Sequence, residues 1–204
     1  YTFSDLFYLG LATNNLQGTL SSDIGNLKVL KNFYAGYNSL ETTIPNEVGQ
    51  LTLLEYFEIT KNNLYGTIPS EFGLLTNLLV LELNVNSLTG TLPSEIGNLS
   101  LMHTLYLHFN NLHGPIPESY AKLVSLQLFI LSSNAFTGTL STAFSDLTNI
   151  YDFSVDDNRL SGLISGHMLL LPNLQKLLVQ NNAFSGFEVN ASVLQNIEET
   201  NLSV

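Results

Sequence analysis

An asparagine recurs at Asn14, Asn38, Asn62, Asn86, Asn110, Asn134, Asn158 and Asn182, always 24 residues after the last. Equal intervals with no insertion leave little room for a compact fold with irregular loops. Each period is a unit too small to bury its own apolar face, so successive units must stack. With the asparagine at position 9, the repeats run 6–29, 30–53, 54–77, 78–101, 102–125, 126–149, 150–173 and 174–196, and a partial ninth covers 197–204. The 204 residues therefore read as one solenoid, 1–204, rather than one or two compact domains.

The other columns give the unit its shape. Position 4 is Leu9, Phe33, Phe57, Leu81, Leu105, Phe129, Phe153 and Leu177; position 6 is Leu11, Ala35, Ile59, Leu83, Leu107, Leu131, Val155 and Val179. Apolar residues two apart between polar neighbours predict a strand with one buried face. The asparagine side chain is expected to bond backbone groups of its own coil and the adjacent one, forming a ladder. Position 13 is Gly18, Gly66, Gly90, Gly114, Gly138, Gly162 and Gly186, with Thr42 as the exception. That column predicts a bend with positive φ or close backbone approach. Pro45, Pro69, Pro93 and Pro117 at position 16 should stop a strand and turn the chain outward.

The motif resembles the plant-type leucine-rich repeat, LxxLxLxxNxLxGxIPxxhGxLxx, where h is apolar. Residues 54–77, with Asn62, Gly66, Ile68, Pro69 and Gly73, and residues 78–101, with Asn86, Gly90, Leu92, Pro93 and Gly97, match best. The resemblance implies an α/β-type repeat solenoid. This would be a curved horseshoe or superhelix with one parallel concave strand per repeat and short side strands or 3-10 turns on the convex side. Ser21, Ser141 and Ser165 replace the proline, and Glu188-Val189 replace Ile-Pro, so the side strand is expected to be less regular there. Family ectodomains carry Cys-bearing caps. This chain has no Cys and reads as a middle piece of a longer array.

Composition narrows the function. Zero Cys excludes a thiolate metal site and a Cys nucleophile. Six basic residues, scattered singly, against 17 acidic ones give a net charge of −11. That balance argues against nucleic acid and against an anionic membrane surface. No apolar run approaches the roughly 18–20 residues of a membrane span. Only 11% of residues are charged, against about 25% in a typical soluble domain.

Strand positions 2, 3, 5, 7 and 8 should line the concave face. Six of nine tyrosines fall there: Tyr8, Tyr34, Tyr37, Tyr56, Tyr106 and Tyr151. Phe7 and Phe109 join them, and Leu79, Val80, Val85, Leu128 and Ile130 fill the middle. Exposed aromatic and aliphatic residues mark a contact surface. The expected ligand-binding residues are Tyr8, Tyr34, Tyr37, Tyr56, Glu58, Glu82, Tyr106, His108, Phe109, Tyr151, Asp152 and Asp156. The expected partner is a protein, peptide or glycan, with no cofactor and a larger assembly as an option. The resemblance implies an extracellular, non-enzymatic recognition module. A structural or adhesive component of an extracellular assembly, or an inhibitor of a cell-wall-degrading enzyme, are the alternatives it leaves open.

Catalytic and metal readings fare poorly. His103, His108 and His113 are spaced by five, which fits no metal motif. His108, Ser132 and Asp156 share position 7, but Ser132 lies between the other two, so the aspartate cannot orient the imidazole. Asp152, Asp156 and Asp157 lie along one strand rather than around a point, which disfavours Ca²⁺. Thr19, Thr43, Thr67, Thr91 and Thr139 at position 14 suggest an ice-binding ladder. Pro115 interrupts it, and strand preference explains threonine there more simply. Sequons at Asn98, Asn190 and Asn201 are glycosylation candidates, in a number that chance alone supplies.

Overall fold

A computed structural model describes residues 5–189. Its spine is an eight-stranded parallel sheet with one three-residue strand per repeat. The strands are Tyr8–Gly10, Asn32–Tyr34, Tyr56–Glu58, Val80–Glu82, Thr104–Tyr106, Leu128–Ile130, Asp152–Ser154 and Lys176–Leu178. Each lies beside the strand of the next repeat, one full period on, as in Leu9 opposite Phe33 and Phe33 opposite Phe57. Seven short 3-10 helices, from Ser22–Asn26 to Gly166–Leu170, run along the opposite side. This is the parallel-stranded repeat solenoid that the resemblance implies.

The core is one continuous column between sheet and 3-10 helices. Phe33, Phe57, Leu81, Leu105, Phe129 and Phe153 are buried, as are Val48, Phe72, Ile96, Tyr120, Phe144 and Met168 from the helical side. Phe33 stacks on Phe57 at 5.0 Å between centroids, and Phe57 meets Phe72 edge-on at 5.2 Å. Phe129 lies 5.0 Å from Phe153. Each such side chain contributes about 1.5–3 kcal/mol by leaving water. Tyr120 is fully buried, and its hydroxyl donates to the Pro93 carbonyl at 3.0 Å. That bond removes the cost of burying the phenol.

The asparagines form the ladder in full detail at Asn62. Its Nδ2 donates to the carbonyls of Ile59 and Thr60 in its own coil and of Ala35 in the preceding one, at 3.4, 3.2 and 3.0 Å. Its Oδ1 accepts the Leu40 N–H at 3.0 Å. Position 8, just before each asparagine, adopts left-handed backbone in all eight repeats, with φ from 51° at Lys61 to 58° at Val85. That turn aims the asparagine inward, and none of these residues is glycine.

The side strands contradict one expectation. Repeats that keep the proline have two-residue strands, such as Ser39–Leu40 and Ser87–Leu88. The last three repeats, which lose it in succession, have longer ones: Ala135–Thr139, Arg159–Ser165 and Ala183–Glu188, joined with His113–Gly114 in a four-stranded sheet. Ser165 pairs with Glu188 at the position where proline would remove the N–H. Where neighbouring repeats depart from the motif together the side strand is longer, with a register shift between Gly162 and Leu163, whereas the first repeat, with Ser21, keeps the two-residue strand Gln17–Gly18. Ser21 and Ser141 also cap the following 3-10 helix, their hydroxyls accepting from Asp23 N–H and Ala143 N–H.

Candidate ligand-binding face

The concave sheet places equivalent positions of adjacent repeats side by side, so rows of side chains run across it about 4.8 Å apart. In the first five repeats the rows are aromatic and acidic. The ring of Tyr34 lies 5.5 Å from that of Tyr8 and 6.3 Å from that of Tyr56. Tyr106, His108 and Phe109 form an edge-to-face chain with spacings of 5.7 and 5.5 Å. Phe109 is 57% exposed, and Phe7, Tyr8 and Tyr37 are also exposed. Lys61 lies over the Tyr37 ring at 5.1 Å.

Between the tyrosines sit Glu58 and Glu82, neighbours across the strands Tyr56–Glu58 and Val80–Glu82. Both are half-buried. Burial raises the Glu58 carboxyl above its ordinary value, while the N–H groups of Thr60 and Gly36 pull it back. Burial raises Glu82 too, and the Glu58 charge adds to it. Burial likewise raises Tyr34, and raises Tyr106 with help from Glu82. The nearby pair Lys31–Glu55, at 2.8 Å, closes on itself, and among the described residues neither Glu58 nor Glu82 has an ion-pair partner. The face is thus rich in π surface and hydrogen-bond acceptors.

The later repeats differ. Asp152 is only 6% exposed, which corrects its expected place on the open surface. Lys176 holds it at 3.0 Å and the Ser154 hydroxyl donates to it. Asp156 accepts from Ser132, and Asp157 from Asn181. Each carboxylate is held by partners of its own, so the three do not converge. Ser132 donates to Asp156 rather than to His108, so no nucleophile–base contact forms in that row. Burial lowers the His108 pKa, and Lys176 lowers it further, against the Asp156 charge.

Tyr151 is 45% exposed at the edge of this region. It projects into a shallow groove of about 410 Å³ with Gln127, Leu128, Asn149, Asn173 and Gln175. Sequence reading picked out Tyr151 and missed the amides around it. Their signal was the recurrence of asparagine at position 24, in Asn77, Asn149 and Asn173. Of the sequons, Asn98 is exposed at the end of the 3-10 helix Ser94–Asn98; Asn190 and Asn201 lie outside the described residues.

Fold, period and ladder define a leucine-rich-repeat protein, and the Leucine Rich Repeat family profile matches residues 77–99. Its repeats are of the plant type of that family. It is similar to a structure titled as a TDR receptor, with 40% identity and a TM-score of 0.82, covering 83% of this chain and 30% of that one. It is also similar to the Arabidopsis receptor kinase HAESA ectodomain, solved with an N-terminally extended IDA peptide hormone. Identity there is 31% and TM-score 0.82, over 86% of this chain and 30% of that one. A plant ice-binding protein matches at 25% identity and TM-score 0.69, over 94% of this chain and 70% of that one. The chain spans about 30% of the two receptor structures. No curated protein sequence matches it.

Proposed function

We propose that this chain is an extracellular, non-enzymatic recognition module that captures a protein or peptide partner on the concave face of its first five repeats. The observation that carries the reading is the staggered cluster of Tyr8, Tyr34 and Tyr56 rings beside the half-buried carboxylates of Glu58 and Glu82. Tyrosine offers a large contact area for little ordering cost. Carboxylates without a basic side chain beside them favour a partner segment bearing Lys or Arg. The peptide hormone in the HAESA complex supports the same reading by analogy. Tyr34, Tyr56, Tyr106 and Phe109 serve as anchors, with Tyr37 and His108 beside them. A rigid solenoid presents these groups already arranged, which limits the entropy lost on binding.

The test is selection of binders from a displayed random-peptide library. Peptides recovered on the wild type should carry basic residues and should fail to bind the variant Y34A/Y56A/Y106A/F109A. That variant should keep its circular dichroism spectrum. Undiminished capture by the folded variant refutes the site.

A further inference from the structure

We propose that the groove centred on Tyr151 is a binding site for a neutral pyranose-based glycan, separate from the aromatic and acidic half of the concave face. Gln127, Tyr151 and Gln175 occupy the same column of three neighbouring repeats. Backbone bonds lock their register: Tyr151 N–H donates to the Gln127 carbonyl at 2.7 Å, and Gln175 N–H to the Tyr151 carbonyl at 2.9 Å. The phenol ring is therefore flanked by one exposed amide on each side, about 4.8 Å along the sheet. Asn149 and Asn173 line the same groove. Their Nδ2 groups are tied to the carbonyls of Val124 and Thr148, at 2.8 and 2.9 Å. These bonds fix both amides and leave their Oδ1 atoms as immobile acceptors.

This inventory suits sugar hydroxyls. An amide presents a donor and an acceptor side by side, matching two adjacent hydroxyl groups that each both give and accept a proton. A tyrosine ring matches the C–H face of a pyranose while its hydroxyl stays wet. None of the six lining residues carries a formal charge. The adjacent charges, Lys176 and Asp152, neutralise each other. In a chain of net charge −11, acidic sugars are repelled at long range. A peptide anchor needs an apolar pocket to displace water, and Leu128 alone does not make one. Cationic segments have no carboxylate here and are drawn to Glu58 and Glu82 instead.

Titration calorimetry with cellohexaose, xylohexaose and mannohexaose, with hexagalacturonate as the charged counterpart, tests the site. At least one neutral hexasaccharide should bind with a Kd below about 1 mM. Tyr151→Ala should weaken it about tenfold or more, and so should Gln127→Ala combined with Gln175→Ala, whereas Tyr151→Phe should retain most of it. Tyr34→Ala should leave sugar binding unchanged, which separates this site from the peptide-binding half. The proposal is overturned if no neutral hexasaccharide binds, if Tyr151→Ala binds as the wild type does, or if hexagalacturonate binds as tightly. Library peptides whose capture depends on Tyr151 rather than Tyr34 would overturn it as well.

Discussion

Gly36 makes room for the Glu58 carboxylate: a Cβ on Gly36 would overlap its Oε1. The carboxylate instead settles against the backbone and accepts from Thr60 N–H at 3.3 Å. Replacing Gly36 by Ala should therefore expel the Glu58 side chain toward solvent. The obstructing atoms are the far end of a flexible chain, so the fold should survive. Its stability should change by less than about 1 kcal/mol, because the lost contacts are offset by a stiffer unfolded chain. In carboxyl NMR titrations, the Glu58 pKa should return toward its ordinary value, since burial is what raises it. A Glu58 resonance that titrates as in the wild type would show that the glycine does not make this space.

Glu58 and Glu82 give the fold a pH dependence of unusual sign. A carboxyl whose folded pKa is raised binds its proton more tightly in the folded chain. Stability from such a group is complete below the ordinary value of 4.5 and falls as pH rises through the raised value. His108 works in the opposite direction. Its depressed pKa means stability is lost as pH falls from its ordinary 6.5 through the depressed value. Comparing Glu82→Gln with the wild type isolates the carboxyl. In urea unfolding, the variant should gain on the wild type as pH is raised from 4.5 to neutrality. A constant difference across that range would mean the carboxylate is not penalised by its site.

The ladder makes a positional prediction. Asn62 bonds both its own coil and the preceding one, and accepts Leu40 N–H. Among the described residues Asn14 reaches the Leu11 and Ala12 carbonyls of its own coil, and it is exposed. Asn62→Ala strands buried backbone groups and should cost about 1–3 kcal/mol. Asn14→Ala leaves groups that water can reach and should cost about 0.5 kcal/mol or less. Denaturant midpoints of the two variants measure the difference, and equal losses would rule out the inter-coil bonds as the source.

The period of the asparagines and the alternation around Phe57 made the solenoid legible, because stacking forces each coil to repeat the same bonds. Less local features escaped. The length of the side strand depends on whether its neighbour also lacks a proline, as Ser165 opposite Glu188 shows. No single repeat carries that information. The burial of Asp152 depends on Lys176, 24 residues on. Of the candidate face, the tyrosine cluster could be read from strand positions alone. The Asn149 and Asn173 amides could not, because they lie in the turn before the strand rather than on it.

Val85 shows a cost that the alternation pattern hides. It is β-branched, 39% exposed, and held at φ 58°. Left-handed backbone costs an L-residue about 1–2 kcal/mol, and Asn is among the few that tolerate it. The eighth repeat uses Asn181 at the equivalent position. Val85→Asn should accordingly stabilise the chain by about 1 kcal/mol, and Asn181→Val should destabilise it by a similar amount. Urea unfolding of both variants checks the pair. Loss of stability in Val85→Asn would mean that the valine side chain contributes more by packing than its backbone costs.

The threonine column is explained by packing between coils. The Cγ2 of Thr67 lies 2.7 Å from where a Cβ on Gly90 would stand, and Thr91 and Thr139 meet Gly114 and Gly162 at 2.8 Å in the same way. Each methyl fills the notch left by the glycine of the next repeat, and that glycine has φ near +80°, as in Gly90 at +82°. The column breaks at Pro115 and ends at Leu163, which is exposed. Methyls used in this way do not form a continuous row offered to an ordered water lattice, despite the similarity to a plant ice-binding protein. Thr67→Ser should cost about 0.5–1 kcal/mol by removing the methyl. The purified protein should show no gap between the melting and freezing points of single ice crystals. A measurable gap that disappears in a Thr67→Val/Thr91→Val double variant would overturn the packing account, since valine keeps the notch-filling methyl and replaces the hydroxyl with a second methyl.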